Sequence, residues 1–175
     1  AFPAAQELLQ LVLDHRYGGA RDQVTRPDGV TVSLDWQDPL ATLGQICQED
    51  FCILERHEDS REHVLTGAVL CFPASWRLAE KIGRPLGAIH GPVAQYDAGM
   101  AVRVQRLFDM LRADTPLWRQ NAMIYQDPAL FHPRSEGMGR EDRTTGRFLR
   151  SEKQVLMRLI ETRAVVFSIH NYIVP

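Results

Sequence analysis

Cysteine is scarce in this 175-residue chain, and no apolar run is long enough to span a bilayer. The three cysteines, Cys47, Cys52 and Cys71, are odd in number and stand mostly in apolar surroundings, which predicts reduced thiols rather than a disulfide framework. No signal peptide is recognisable at the start of the sequence. Together these absences predict a cytoplasmic protein without a membrane span.

An excess of charge of either sign is also missing. The chain has 20 basic and 22 acidic residues, which gives a formal net charge of -2. Such a balance creates no global attraction to nucleic acids or to anionic membranes. We therefore expect small molecules or proteins as partners.

Sequence motifs for electron carriers are incomplete. Cys47 and Cys52 have the spacing that opens a plant-type iron–sulfur motif, but the second closely spaced pair is absent. Gly137 and Gly139 lack the third glycine and the preceding strand of a dinucleotide fingerprint. If the chain is a redox enzyme, its electrons come from another protein.

What the chain does have is enough apolar sequence, 45% of its residues, for one globular domain with a sizeable core. The apolar periodicity predicts a helix after Pro3, a strand within 29–36, a short helix after Asp38, strands at 50–55 and 64–72, a helix over 97–112, and strands at 116–127, 148–160 and 164–174. On the 97–112 helix, the residues predicted to be core are Val104, Leu107, Phe108 and Leu111. This order predicts an α+β fold with a five-stranded antiparallel sheet, helices packed on one face, and an N-terminal helical extension.

The stretch 71–96 holds a candidate cofactor site. Ser75 is a plausible N-cap for two helical turns over 76–82, on which Arg77 and Lys81 would share one face. Arg84 extends this positive strip. We therefore expect a run of cations in front of the loop that follows.

His90 lies in that loop, between glycines and prolines that restrict the backbone. A lone histidine near several cations suggests a haem iron ligand with anchors for the propionates. A single histidine in apolar surroundings is, however, more often a hydrogen-bonded structural residue. The residues alone therefore leave the function open.

A polar row marks the strand at 148–160. Strand alternation places four polar residues on one side: Arg150, Glu152, Gln154 and Arg158. This side faces either solvent or a pocket for a polar substrate, and the sequence does not favour one over the other. In the last strand, the residues that share a side are Val166, Ser168, His170 and Tyr172, and those that can form the apolar wall of a cavity are Val165, Phe167, Ile169 and Ile173.

Two charged segments are predicted to be surface loops. His57 and His63 lie among acidic residues, and a solvated hairpin loop explains them better than a metal site does. The segment 132–146 is polar, contains glycine and carries both charges, which is typical of a mobile surface loop or a lid. Neither segment therefore enters the predicted site.

The stretch CFPASWRLAEKIGRPLGAIHGPVAQY, together with LRSEKQVLMRL and AVVFSIHNYIVP, resembles the haem-dependent oxidative N-demethylase alpha-subunit family. The resemblance implies a PAS-like haem-binding domain over residues 48–175, preceded by a helical and strand extension over residues 1–47. It departs slightly at Ala94, where the family often has a second proline. The activity that it implies is oxygen-dependent N-demethylation of a small secondary amine such as dimethylamine, with this chain as the catalytic haem subunit.

The resemblance also implies a cofactor and partners. Haem b is expected on His90, with His170 as the alternative iron ligand, and the propionates are expected on Arg77, Lys81 and Arg84. Reductase subunits with FMN and a [2Fe-2S] cluster, and a folate-binding subunit, are the expected protein partners. A haem-based gas sensor or ligand-binding PAS protein without catalysis, and an interaction module without haem, remain as alternatives.

The row on the 148–160 strand contains the expected substrate site. A small secondary amine is cationic at pH 7 and needs a carboxylate, and Glu152 is the only one in the row. Arg150 or Gln154 is expected to orient Glu152 or to donate a hydrogen bond toward oxygen. His170 and Tyr172 are weaker candidates for the same wall.

Overall fold

The structure is a computed structural model that describes residues 1–57, 60–91, 96–138 and 145–175. Its elements in chain order are α1 (Phe2–Arg16), β1 (Gln23–Thr25), β2 (Thr31–Ser33), α2 (Pro39–Ile46), β3 (Glu49–Glu55), β4 (Val64–Val69), a 3-10 turn (Leu78–Glu80), α3 (Leu86–His90), α4 (Ala98–Met110), β5 (Leu117–Tyr125), β6 (Phe148–Arg158) and β7 (Val165–Val174). Strands β3 to β7 form one antiparallel sheet in the order β4-β3-β7-β6-β5. The predicted α+β fold with a five-stranded antiparallel sheet is confirmed.

Register within the sheet decides which polar residues meet. Strand β6 lies between β5 and β7, and Glu152 stands opposite Asn121 on one neighbour and Asn171 on the other. Directly paired residues of adjacent strands point to the same side of a sheet. The polar row of β6 therefore shares its side with Asn121 and Asn171.

The two sides of the sheet have separate apolar cores. On the side that we call the α3 face, α3 and α4 pack on the sheet through the buried residues Cys52, Leu54, Leu65, Leu86, Phe108, Leu111 and Val165. On the opposite side, the α1 face, α1 and α2 pack on the sheet through buried residues that include Leu8, Leu9, Leu13, Leu43, Phe51, Ile53 and Val166. Burying each such large side chain contributes about 1.5–3 kcal/mol, so both layers stabilise the sheet.

The first helices and strands of the chain follow the local signals in the sequence. Proline stands in the first turn of α1, and Asp38 caps α2 by accepting a hydrogen bond from the Ala41 amide at 3.1 Å. Strand β2 is the predicted short strand, and it forms a hairpin with β1. No helix in the described ranges is both long and apolar enough to cross a bilayer.

The helix predicted over residues 76–82 is wrong. Ser75 has a φ of 68°, and Arg77 is extended, so only the short 3-10 turn forms. The cause is tertiary, because the Ser75 amide donates to the His132 carbonyl at 2.8 Å and Ala74 forms a parallel bridge with His132. This pairing with a distant segment holds the backbone out of the helical region.

Helix α4 confirms the predicted helix over 97–112 in position and capping. Asp97 accepts a hydrogen bond from the Met100 amide at 2.7 Å, as an N-cap should. Phe108 and Leu111 are buried as predicted, whereas Leu107 is 41% exposed. Fewer residues of α4 pack against the sheet than the apolar pattern of its sequence predicts.

Candidate functional site

His90 is the last residue of a short helix rather than a loop residue, which corrects the prediction. Pro85 is extended and precedes α3, and the buried Leu86 packs the helix into the core of the α3 face. The predicted continuation through Pro92 and Ala94 lies outside the described residues. Position on a helix fixes the direction of the imidazole, which a loop would leave less determined.

Hydrogen bonding determines which ring nitrogen of His90 is available. Nδ1 lies 2.9 Å from the Leu86 carbonyl oxygen, four residues earlier. A carbonyl can only accept, so Nδ1 carries the hydrogen, and the lone pair of the neutral ring is on Nε2. A histidine that donates its other nitrogen to a backbone carbonyl has the arrangement found in metal-ligating histidines.

Other contacts fix α3 from several sides. A Glu62 carboxylate oxygen accepts a hydrogen bond from the Gly87 amide at 2.7 Å, near the start of the helix. The Tyr96 ring stacks on the His90 imidazole with a centroid distance of 4.4 Å and an interplanar angle of 18°. The imidazole is therefore restrained both through its own helix and by an aromatic neighbour.

The three cations predicted as one strip have different surroundings. Arg77 and Arg84 are exposed, whereas Lys81 is only 7% exposed. Lys81 Nζ donates to the Ile89 carbonyl at 2.9 Å and forms an ion pair with Glu136. The predicted shared helix face of Arg77 and Lys81 is wrong, because the helix that would align them does not form.

The polar row of β6 lies on the α3 face, with Arg150, Glu152 and Gln154 buried and Arg158 partly buried, so the row does not face open solvent. Arg150 is fully buried, and its guanidinium donates to Asn171 Oδ1 at 2.9 Å, to the Leu130 carbonyl at 2.9 Å and to the Phe72 carbonyl at 2.7 Å. Arg150 thus ties β6 and β7 to two loops that border this end of the face.

Glu152 stands at the centre of the row and is 5% exposed. Its Oε2 accepts hydrogen bonds from Asn121 Nδ2 at 3.1 Å and Gln154 Nε2 at 2.9 Å, and its Oε1 lies 3.6 Å from Arg150 Nε. The neighbouring donors hold the carboxylate in one orientation. Arg150 and Gln154 therefore both lie against the Glu152 carboxylate.

Asp50 and Asn171 belong to the same cluster, although the sequence patterns did not select them. Asp50 accepts from the Cys71 amide at 2.6 Å and the Phe72 amide at 2.9 Å. Burial raises the pKa of this carboxyl to about 6, against the opposing effect of those amides and of Arg150. The sequence signal that could have identified Asp50 is its acidic side chain at the start of the apolar run DFCIL.

Asn171 has a donor that finds no protein acceptor among the described residues. The side chain is 2% exposed; its Oδ1 accepts from Arg150, but Nδ2 is buried without a hydrogen-bond partner. An unsatisfied buried donor costs about 1–3 kcal/mol, so such groups commonly have a ligand or a water as acceptor. This orphan donor is consistent with a ligand on the α3 face.

His170 and Tyr172 lie on the other side of the sheet, so their predicted place on the Glu152 wall is wrong. His170 pairs with Lys153 rather than with a member of the row, and its Nδ1 lies 3.2 Å from Glu49 Oε1. Tyr172 is exposed beside it. By contrast, the side of the sheet that holds the row also holds Val165, Phe167, Ile169 and Ile173, the residues predicted to form an apolar wall.

His63 is buried, which corrects its assignment to a solvated loop. Its Nδ1 lies 2.8 Å from Gln105 Oε1, and burial lowers the pKa of the imidazole. His57 is exposed as predicted. In the parts of the chain that the structure describes, no three or more His, Cys, Asp or Glu side chains are grouped as metal ligands.

Two cavities are found away from His90. A polar one of about 360 Å³ lies beside Arg56, His63, Asp109 and Arg158, and an apolar one of about 200 Å³ lies between α1 and the sheet. Neither is lined by His90 or Glu152. Among the described residues, the feature that suits haem is His90, whose Nε2 lone pair is of the kind that binds iron.

Comparison with known proteins places these residues in a family. No curated protein matches the chain. A family model described as haem-dependent oxidative N-demethylase, alpha subunit-like, matches residues 3–175. Because the match covers nearly the whole chain, the protein belongs to the haem-dependent oxidative N-demethylase alpha subunit-like family.

Proposed function

We propose that this chain is the catalytic haem subunit of an oxidative N-demethylase that acts on a small secondary amine such as dimethylamine. The observation that carries the proposal is the His90 imidazole, whose Nδ1 donates to the Leu86 carbonyl, in a member of a haem-dependent family. His90 Nε2 is the proposed ligand of haem b, in a PAS-type domain. Arg77 and Arg84, the exposed cations of this region, are the proposed partners of the propionates.

When bound, haem supplies the redox chemistry that activates molecular oxygen. The chain supplies recognition of the amine. The Glu152 carboxylate binds the cationic amine through a charge-assisted hydrogen bond, while Gln154 and Arg150 hold its two oxygens in place. The low exposure of the row excludes bulk water from this contact, which strengthens the electrostatic attraction.

The overall reaction defines the partners that the chain needs. The secondary amine loses one methyl group as formaldehyde and leaves as a primary amine. One oxygen atom of O2 enters the formaldehyde, and the other is reduced to water with two electrons and two protons. We propose that reductase subunits with FMN and a [2Fe-2S] cluster deliver these electrons, and that a folate-binding subunit accepts the one-carbon product.

Replacement of the iron ligand tests the cofactor part of the proposal. We expect His90→Ala to lose the Soret band on titration with haem while far-UV circular dichroism stays unchanged, because Nε2 is the bond to iron. The matched control is His57→Ala, which removes an exposed histidine and should bind haem like the parent. Haem binding by His90→Ala with an unchanged spectrum would move the ligand to another residue.

A second variant tests amine recognition. Glu152→Gln keeps the shape of the side chain and removes its charge, so we expect the amine affinity to fall by about tenfold or more, the size of a charged hydrogen bond. Amine titrations of the haem spectrum measure this affinity, with Glu161→Gln as a control at an exposed carboxylate. Formaldehyde release with a supplied reductant then distinguishes an enzyme from a gas sensor.

A further inference from the structure

Lys81 has an environment that the site described above does not use. Its ammonium is almost completely buried, yet it contacts no part of the polar row. Isolated buried charges are costly and persist when they are paired and hydrogen-bonded. Its two partners therefore show what this lysine does in the fold.

One partner is the helix that carries His90. Lys81 Nζ donates to the carbonyl of Ile89, the residue before His90 in α3. The last carbonyls of a helix have no intrahelical partner and carry partial negative charge, which a lysine ammonium satisfies. Lys81 thus holds the C-terminal end of α3, opposite the Glu62 contact at its N-terminal end.

The other partner, Glu136, comes from a segment 55 residues away along the chain. The Glu136 amide donates to Glu80 Oε2 at 3.1 Å, and its carboxylate also lies 3.8 Å from Arg84. The same segment pairs with residues 73–75, because the His132 amide donates to the Pro73 carbonyl at 2.9 Å. The segment 130–138, which we call the strap, therefore crosses from the end of β5 to the 3-10 turn.

We propose that Lys81 and Glu136 form a latch through which the strap positions the His90 imidazole. The ion pair with Glu136 holds the Lys81 ammonium in place, and the ammonium in turn holds the Ile89 carbonyl. His90, the next residue, then has its Nε2 in a fixed position. Lys81 is a positioning residue in this arrangement rather than an anchor for a propionate. The inference rests on the proposed function only in taking His90 as the iron ligand.

Four variants separate a latch from a general electrostatic effect. Lys81→Met removes the ammonium and keeps the length of the apolar stem, and Glu136→Gln removes its counter-charge at a partly exposed site. Arg84→Met removes the second cation near Glu136, and Arg77→Met removes an exposed cation that has no ion pair within the described part of the chain. The two arginine variants are matched controls for the measurement on the haem-free protein.

The first measurement needs no haem. Amide hydrogen exchange of the haem-free protein should show at least about tenfold faster exchange at residues 89–90 in Lys81→Met and Glu136→Gln, with β6 and β7 unchanged. Arg84→Met and Arg77→Met should match the parent. Equal exchange in all five proteins would overturn the latch, whether or not the chain binds haem.

The second measurement uses haem-loaded protein. Loss of a group that orients a metal-ligating histidine typically weakens metal binding by about 10–100-fold. We expect faster haem loss and a shifted iron–histidine stretching frequency in Lys81→Met and Glu136→Gln. Arg77→Met and Arg84→Met, at the proposed partners of the propionates, should also lose haem faster but keep the stretching frequency of the parent. An unshifted frequency in Lys81→Met and Glu136→Gln would assign Lys81 to the propionates and overturn the inference. Failure of the parent itself to bind haem would contradict the proposed function and leave the exchange experiment to decide the latch.

Discussion

Asp50 shows at the scale of a single residue how burial sets chemistry. It is 1% exposed, it accepts two backbone amides, and Glu152 of the neighbouring row adds a second negative charge. Desolvation disfavours the charged form of a carboxyl, and the amides and Arg150 offset this only in part. The pKa of about 6 follows, so Asp50 changes its charge close to neutral pH.

This pKa predicts a pH-dependent stability. The folded state holds the Asp50 proton at a pH where the unfolded chain has released it. The contribution of Asp50 to the free energy of unfolding is therefore fully present below the unfolded pKa of 3.8 and is lost as the pH rises through about 6. Two pKa units correspond to at most about 3 kcal/mol. We expect Asp50→Asn to remove this loss between pH 4 and 8 in urea unfolding of the haem-free protein. The same pH slope in the variant and the parent would show that Asp50 does not titrate in this range.

At the scale of elements, α4 depends on a contact from the sheet. Arg158 at the end of β6 donates from Nε to the Leu111 carbonyl at 2.8 Å, and also to the Phe108 carbonyl. These carbonyls stand at the C-terminal end of α4, where intrahelical donors run out. Sequence spacing placed Arg158 in the polar row of β6, but its partners come from a helix 47 to 50 residues earlier.

Removing this contact should loosen α4. We expect Arg158→Leu to lower the free energy of unfolding by about 2–3 kcal/mol, because two partly buried carbonyls lose a charged donor. Arg103→Leu changes an exposed arginine of α4 itself and should stay within about 0.5 kcal/mol of the parent. Urea titrations followed by circular dichroism measure both. Similar values for the two variants would show that Arg158 is not an anchor of α4.

At the scale of the whole molecule, the chain combines one sheet with helices on both sides. The α1 face carries its own core, and the α3 face carries the polar cluster and His90. The polar cluster thus takes its residues from β3, β5, β6 and β7, and His90 comes from α3. The proposed reaction still requires electrons that a haem subunit must receive from a partner.

The proposed need for electrons from a partner protein can be tested directly. The purified chain, loaded with haem and supplied with dimethylamine, is expected to show no oxidation of NADPH, because the sequence contains neither a complete iron–sulfur motif nor a dinucleotide fingerprint. Addition of a separate reductase should start both NADPH oxidation and formaldehyde release. Oxidation of NADPH by the chain alone would contradict the proposed partners.

Much of the architecture follows from the sequence by itself. Alternation of side chains put Arg150, Glu152 and Gln154 on one side of β6, and the capping residue Asp97 marked the start of α4. These features depend on residues close in the chain, whose geometry is nearly independent of the rest of the molecule. The five strands of the sheet and the positions of α1, α2 and α4 were predictable for that reason.

Only the tertiary structure decided which sides of the elements are buried and which distant groups meet. Alternation sorts the residues of a strand into two sides, but it does not say which side a helix covers or which side residues of a neighbouring strand share. Because Glu152 pairs with Asn171 and Lys153 pairs with His170, His170 lies on the α1 face. In the same way, Lys81 is a latch partner rather than a surface cation because Glu136, 55 residues later, reaches it. Interactions between distant segments depend on the assembled core, and no local pattern contains that information.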